Sequence, residues 1–399
     1  MDFPPARTPD SFAELRRPIR IAYLNENWKG GAARCVDDLA RHSPAGWEAR
    51  VFPQAGITGE REVMGALTAF QPDLVHLHSF YGWLPYSRLR WFASRYPTVF
   101  TPHDPRPIAQ MDPACYTCTR NTTCHRCPLV PASARWMVWR HPYLRQRLKR
   151  RFVHLTTPRS LQIVAVCNWM AGRLRQQETS RFPITTIHNG VDTVRFQRRA
   201  GAREALGIPQ EQQVVLFVSS RGPTWQLNPN KGLVDLAAVF SEGLAARFPQ
   251  ARLAVAGEWL APNHPQVLPL GRLDEAQLAL WYSAADIYVL PTRGDNFPYT
   301  VLEAMACECP VIASNVGGVS EQVIPGETGY LFPLGDRLQL ARSLESLLGD
   351  PSRCRQFGAR ARARVEAHFS LPRFASLHAE LYRSVLAARQ AGAPATTHG

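Results

Sequence analysis

Short apolar runs alternate with helix-like stretches in two successive series along this chain, and that alternation leaves few ways to fold. Ile19–Leu24, Asp73–Leu77, Thr98–Thr101 and Gln162–Cys167 read as short buried strands, each followed by a helical stretch. A second series starts after a polar stretch: strand Val214–Ser219, a helix from Lys231, strand Arg252–Gly257, helix Asp274–Ala284, then strands Asp286–Leu290 and Pro310–Ala313. Strands that alternate with helices pair in parallel, with the helices covering both faces, so the expected class is α/β with two doubly wound sheets. At 399 residues the chain suits two domains of about 150–200 residues better than one core. The boundaries expected are 1–194 for the first domain, with a Cys-rich insert near 112–130, 195–212 for a linker, and 213–371 for the second domain. A helix over 372–390, with Phe374, Leu377, Leu381 and Leu386 available for packing, is expected to cross back to the first domain. The Ala/Gly/Pro/Thr tail 391–399 is expected to be disordered.

Charge divides the chain unevenly. Residues 1–199 hold 29 Lys and Arg against 14 Asp and Glu, whereas residues 200–399 hold 17 against 18. An anionic partner for the first domain explains the excess, and so does an Arg-rich solvated surface, since only three of the basic residues are Lys. The first 17 residues lack the apolar stretch of a signal peptide, and no apolar run reaches the roughly 18 residues of a membrane span, so the expected location is the cytoplasm.

The segment Arg293–Gly318 carries the strongest chemical signal. It reads as strand, acidic loop and helix, with Asn296 as a candidate cap and Pro298 in the first turn. Unpaired N–H groups at such a helix start favour a diphosphate. Asp295 and Glu303 stand eight residues apart, which on a helix is about 12 Å of rise and about 80° of rotation. They therefore suit the two ends of one extended ligand, Asp295 on hexose hydroxyls and Glu303 on ribose hydroxyls, because a carboxylate accepts two hydrogen bonds from a diol. A capped amphipathic helix with an acidic first turn has the same residues.

Other motifs fall at expected strand ends, where open α/β sheets bind ligands. Lys231-Gly232 opens a helix and offers a cation to a diphosphate, with Arg221 as its candidate partner. Gly271-Arg272 ends a strand ahead of Trp281 and Tyr282 and can face a nucleobase or serve as a plain turn. Gly30-Gly31 allows close backbone approach to a phosphate. His103 ends a strand and either reaches a ligand or faces solvent, while His76 and His78 point to one face of theirs. Cys115-x2-Cys118-x5-Cys124-x2-Cys127 has the spacing of a structural zinc knuckle, or of a loop of packed thiols; Cys35, Cys167, Cys307, Cys309 and Cys354 read as scattered core positions. Basic and aromatic residues interleave over Arg135–Arg159, as in a helix at an anionic membrane surface or one whose aromatics bury into the domain.

In their order these motifs resemble family 4 of the retaining glycosyltransferases, of GT-B fold: Gly30-Gly31-Ala32-Ala33-Arg34, Asp73-Leu74-Val75-His76-Leu77-His78, Thr101-Pro102-His103-Asp104, His188-Asn189-Gly190-Val191-Asp192, Asp295–Ala306 and Gly317-Gly318. With the insert ending Cys127-Pro128-Leu129 they are similar to the branch that builds exopolysaccharides of the colanic acid kind. The resemblance implies two Rossmann-like domains facing a central cleft and a UDP- or GDP-linked sugar donor on the second. It implies a glycan or lipid-diphosphate acceptor on the first and no nucleic acid; the basic, aromatic segment Arg135–Arg159 suggests an enzyme peripheral at the inner face of the membrane. It assigns Glu303 to the ribose, Lys231 and Arg221 to the diphosphate, and Asp295, Asn296 and Phe297 to the donor sugar. Gly30 and Gly31 take the phosphate from the opposite wall, His103 lies near the sugar, and Gly271, Arg272, Val301 and Leu302 complete the donor site, with His103, Asp295 and Lys231 catalytic. The family more often has Glu where Asp295 stands, which shortens reach by one methylene.

Cations and helix N–H groups help most as negative charge grows on the departing phosphate. No Asp-x-Asp occurs in the chain, so no catalytic metal is expected. Retention in this family is explained by attack from the leaving-group face, the phosphate taking the acceptor's proton. A nucleotide-sugar epimerase on the same fold and a zinc-knuckle nucleic-acid-binding protein are the competing readings; the second leaves the helix-start carboxylates without a task.

Overall fold

The structure, a computed structural model, describes residues 17–25, 30–53, 59–78, 80, 84–104, 142–219, 231–257 and 264–390. The chain divides into two compact units, Met1–His188 with Phe374–Gly399, and Asn189–Arg373. Arg221, the four insert cysteines and the 391–399 tail lie outside the described residues.

The first unit runs β1 (Ile19–Leu24), α1 (Gly31–Arg41), β2 (Trp47–Phe52), α2 (Glu60–Phe70), β3 (Leu74–Leu77), α3 (Arg88–Arg95) and β4 (Thr98–Phe100). It continues with α4 (Pro142–Thr156), β5 (Gln162–Ala165), α5 (Asn168–Arg175) and β6 (Ile184–Thr186). Six parallel strands form one sheet in the order β2-β1-β3-β4-β5-β6. The second unit holds α6 (Ala202–Ala205), β7 (Gln213–Val218), α7 (Leu233–Val239), β8 (Ala251–Ala256), β9 (Val267–Gly271), α8 (Glu275–Ala284) and β10 (Ile287–Leu290). After them come α9 (Tyr299–Ala306), β11 (Val311–Ser314), α10 (Val319–Gln322), β12 (Gly329–Phe332), α11 (Arg337–Leu348) and α12 (Pro351–His368). Its sheet is also parallel, ordered β12-β11-β10-β7-β8-β9. A last helix, α13 (Leu371–Gln390), belongs to the first unit from Phe374 onward.

Central strands are buried along their whole length, as β3, β5, β10 and β11 illustrate, because helices cover both faces. Val215, Phe217, Ile287, Val289 and Ile312 from the second sheet pack with Leu236, Phe240, Leu340 and Leu344 from the helices on one side. Each sheet has one place where strand order reverses direction: between β1 and β3 in the first unit, and between β7 and β10 in the second. The connections leaving those two strands diverge to opposite faces and open a crevice at the carboxyl edge, where ligands of such sheets bind.

Residues 195–212 do not form a linker. They lie inside the second unit, where Phe196 is buried, the Arg199 N–H donates to Ser283 Oγ at 3.1 Å, and Arg203 pairs with Asp286 at 2.6 Å. The polar side chains that suggested a solvated link are instead tied to α8 and the entry to β10.

Candidate active site

The switch point of the second sheet brings Lys231 and Asp295 together. Lys231 ends the connection from β7 and Asp295 lies in the connection from β10, and these strands are neighbours. Their side chains form an ion pair, Lys231 Nζ to Asp295 Oδ2 at 2.5 Å. Gly232 makes the approach possible: its φ is +74°, and a Cβ there would stand 1.8 Å from the Pro291 carbonyl oxygen. The turn therefore lies directly on the start of the acidic loop.

That loop, 291–298, is fixed from several directions. Ser314 Oγ donates to the Thr292 carbonyl, and Gly294 N–H donates to Thr292 Oγ1 at 3.3 Å. Asn189 Nδ2 donates to the Phe297 carbonyl at 3.1 Å, and Gln322 Nε2 to the Pro298 carbonyl at 3.0 Å. The Phe297 ring packs edge-on against Phe369, centroids 5.4 Å apart. Asp295 is thus held by a loop with little freedom.

Two expectations about this segment are corrected. Asn296 does not cap α9: the capping position is Pro298, in extended conformation and without a side-chain cap, and Asn296 is buried. The residue before a proline is disfavoured in the helical region, so Phe297 cannot be the first helical residue and the helix starts at Tyr299. Asp295 consequently lies in the loop, and the rise and rotation of an ideal helix do not describe its relation to Glu303. The first N–H groups of α9, those of Tyr299, Thr300 and Val301, are the ones left without helical partners. Val301 and Leu302 have fully buried side chains, so only their backbone can meet a ligand.

Glu303 is 4% exposed and accepts a hydrogen bond from Tyr282 Oη at 3.0 Å. Burial, and then the nearby Glu303 charge, push the Tyr282 phenol well above its usual pKa, so it remains a donor that orients the carboxylate. Sequence reasoning noticed Tyr282 only as a neighbour of a possible base-facing turn. It also missed the bracing roles of Asn189 and Gln322, although Asn189 stands in a quoted motif. Gly271, with φ +65°, and the exposed Arg272 end β9, two strands from β7 at the sheet edge.

The first unit gathers the other candidates at its own switch point. Gly30, φ +89°, precedes α1, and Gly31 is the helix's first residue. His78 Nδ1 and His103 Nε2 are 2.8 Å apart, His76 meets Thr101 Oγ1 and Tyr382 Oη at 2.7 Å each, and the His76 and His78 rings lie 4.0 Å apart. Half-buried His103 is neither solvent-facing nor isolated. Burial drives its pKa down to about 4 against the pull of Asp104, and holds His76 and His78 well below the usual imidazole range, so all three rings are neutral near pH 7. The five cysteines expected in the core are buried. Among the described residues no helix is long and apolar enough to cross a membrane.

Comparison with known proteins assigns both units. Residues 44–195 match Glycosyltransferase Family 4, and residues 199–364 match Glycosyl transferases group 1. Both matches are to glycosyltransferase families, and the fold is GT-B. Sucrose-phosphate synthase of Thermosynechococcus elongatus has that fold, with a TM-score of 0.70 over 94% of this chain and 100% of its own, at 22% identity. HepE of Anabaena, solved with UDP and glucose, gives a TM-score of 0.64 over 92% of this chain and 100% of its own, at 19% identity. D-inositol 3-phosphate glycosyltransferase 2 of Catenulispora acidiphila is 34% identical over 221 residues, half of each chain. The lipopolysaccharide core biosynthesis mannosyltransferase LpcC of Rhizobium leguminosarum bv. viciae is 29% identical over 215 residues, 51% of this chain and 60% of its own. This GT-B chain spans about half the length of the first curated relatives it matches.

Proposed function

We propose that the chain is a retaining hexosyltransferase that moves a sugar from a UDP- or GDP-linked donor to a hydroxyl of a cell-surface glycan or lipid-linked acceptor. The observation that carries this reading is the Lys231–Asp295 ion pair at the switch point of the second sheet. An ammonium has three N–H donors, so Asp295 leaves Lys231 able to take phosphate oxygens, and the carboxylate is then positioned for hexose hydroxyls. Glu303, aligned by Tyr282, takes the ribose diol, and the N–H groups at the start of α9 take the diphosphate. Leaving-group charge is met by Lys231 and the helix start, without a catalytic metal. The names of the two relatives, and the UDP and glucose in the HepE structure, support a nucleotide-sugar donor.

Peripheral attachment at the inner face of the membrane is part of the reading. On α4, Leu148, Phe152 and Leu155 form one exposed stripe, with Lys149 and Arg151 exposed beside it. Incubating the protein with UDP-, GDP- and ADP-sugars, with and without EDTA, tests the catalytic claim. Slow release of one nucleoside diphosphate, undiminished by EDTA and accelerated by an acceptor glycan, is expected. No release from any donor counts against a transferase, and loss with EDTA against metal independence.

A further inference from the structure

We propose that Cys35, His78 and His103 form a binding site for a divalent transition-metal ion of the zinc class, with one coordination position left for water or another ligand. One ligand atom from each of the three lies within 4.8 Å of the others. Tetrahedral zinc with bonds of about 2.0–2.3 Å needs such atoms about 3.3–3.6 Å apart, so small side-chain rotations suffice. A thiolate with two imidazoles is a donor set for a borderline-soft ion, not for calcium or magnesium.

The scaffold under these groups is rigid. His78 and His103 follow β3 and β4, adjacent strands, and Cys35 sits in the second turn of α1, which follows β1 on the other side of β3. Backbone bonds hold both strand ends: His78 N–H to the Leu24 carbonyl and Thr101 N–H to the Leu77 carbonyl, each 2.8 Å. Cys35 and His78 are buried, while half-buried His103 marks the side from which an ion enters. His78 Nδ1 faces His103 Nε2 at 2.8 Å, a contact that opens to about 3.3 Å once both rings ligate one ion through these atoms. Buried Asp104, next in sequence to His103, supplies negative charge beside the site. The proton balance is simple. The Cys35 thiol loses one proton to water as sulfur binds the ion, and the neutral rings donate lone pairs.

This site is independent of the cysteine insert, and its test separates the two. Cobalt(II) titration of the full chain, followed by visible d–d and thiolate charge-transfer bands, is compared with zinc stoichiometry by chelator competition. Cys35→Ala, Cys35→Ser and His78→Gln are each expected to bind one equivalent fewer than wild type. Changes to a group behind a ligand already cost about 10–100-fold, so loss of a ligand itself should weaken this equivalent at least about a hundredfold, and Asp104→Asn about tenfold. The lost spectrum should be that of one thiolate and two imidazoles, distinct from a four-thiolate insert. Unchanged stoichiometry and spectrum in folded Cys35→Ser and His78→Gln proteins, checked by circular dichroism, would overturn the site.

Discussion

Glu303 and Asp295 are both carboxylates in one short segment, and the structure gives them different partners, on which the proposed division of tasks rests. Glu303 is buried against the Tyr282 hydroxyl, whereas Asp295 is matched to the Lys231 ammonium in a half-buried ion pair. Tyr282→Phe removes one hydrogen bond to a charged group and leaves the carboxylate in place, so nucleoside diphosphate affinity should fall about three- to tenfold by isothermal titration calorimetry. Asp295→Ala is expected to keep nucleotide affinity within about threefold while lowering turnover by about a hundredfold or more, since the hexose contacts belong to the transition state. Equal loss of affinity in Asp295→Ala and Tyr282→Phe would contradict the division of roles. Lys231, Asp295 and Glu303 were legible because each belongs to a short local motif. The Tyr282–Glu303 bond was not, because the partners lie 21 residues apart on two helices with β10 between them, and only packing of α8 on α9 brings them together.

At the scale of elements, glycine turns decide how closely the site can be assembled. Gly232 and Gly271 both have positive φ, but a Cβ at Gly232 meets the Pro291 carbonyl at 1.8 Å while one at Gly271 meets nothing within 4 Å. Gly271→Ala should therefore cost only the left-handed backbone penalty of about 1 kcal/mol. Gly232→Ala should cost about 3 kcal/mol or more and displace Lys231 from Asp295. Thermal melts and nucleotide titration of the two variants separate these outcomes; equal melting temperatures would be inconsistent with the close packing. The exposed stripe on α4 gives a second element-level expectation. Phe152→Ser with Leu155→Ser should reduce binding to phosphatidylglycerol vesicles about tenfold without lowering the melting temperature, and undiminished vesicle binding would remove the membrane role from that helix.

Strands were legible according to their place in the sheet. The central strands, buried on both faces, appeared as apolar runs with ends displaced by at most two residues. β2, β6 and β12 were not recognised, and β9 only by its final turn; these four are the edges of the two sheets. Edge strands carry polar and half-exposed positions, as in the β2 sequence WEARVF and the β9 sequence VLPLG, and so lack the continuous apolar signature. The helix boundary at Tyr299 was missed for a different reason: Pro298 acts on the residue before it, and this outweighs the capping tendency of Asn296.

For the whole molecule, the tandem α/β plan could be read from the alternation, but the exact division could not. The chain leaves the first unit at His188 and re-enters it at Phe374; the return was expected from the apolar positions of the last helix, whereas the point of exit is written in no local pattern. Tyr382 on α13 bonds to His76 Nδ1 at 2.7 Å and packs beside Tyr23 and Trp47, tying the last helix to β1, β2 and β3. Tyr382→Phe leaves that buried ring nitrogen without its partner and should destabilise the first unit by about 1–3 kcal/mol. Nucleotide affinity, which the proposed function places in the second unit, should not change. A variant with unaltered melting would mean that α13 adds no polar anchorage. The measurement that bears most directly on the account is calorimetric titration of wild type and Glu303→Ala with UDP, GDP and ADP. One of the three should bind wild type in the range of about 1 μM to 1 mM, and Glu303→Ala should weaken it about thirtyfold or more. No binding by any of the three to folded wild type, or equal affinity in Glu303→Ala, would contradict a nucleoside diphosphate site at the switch point of the second sheet.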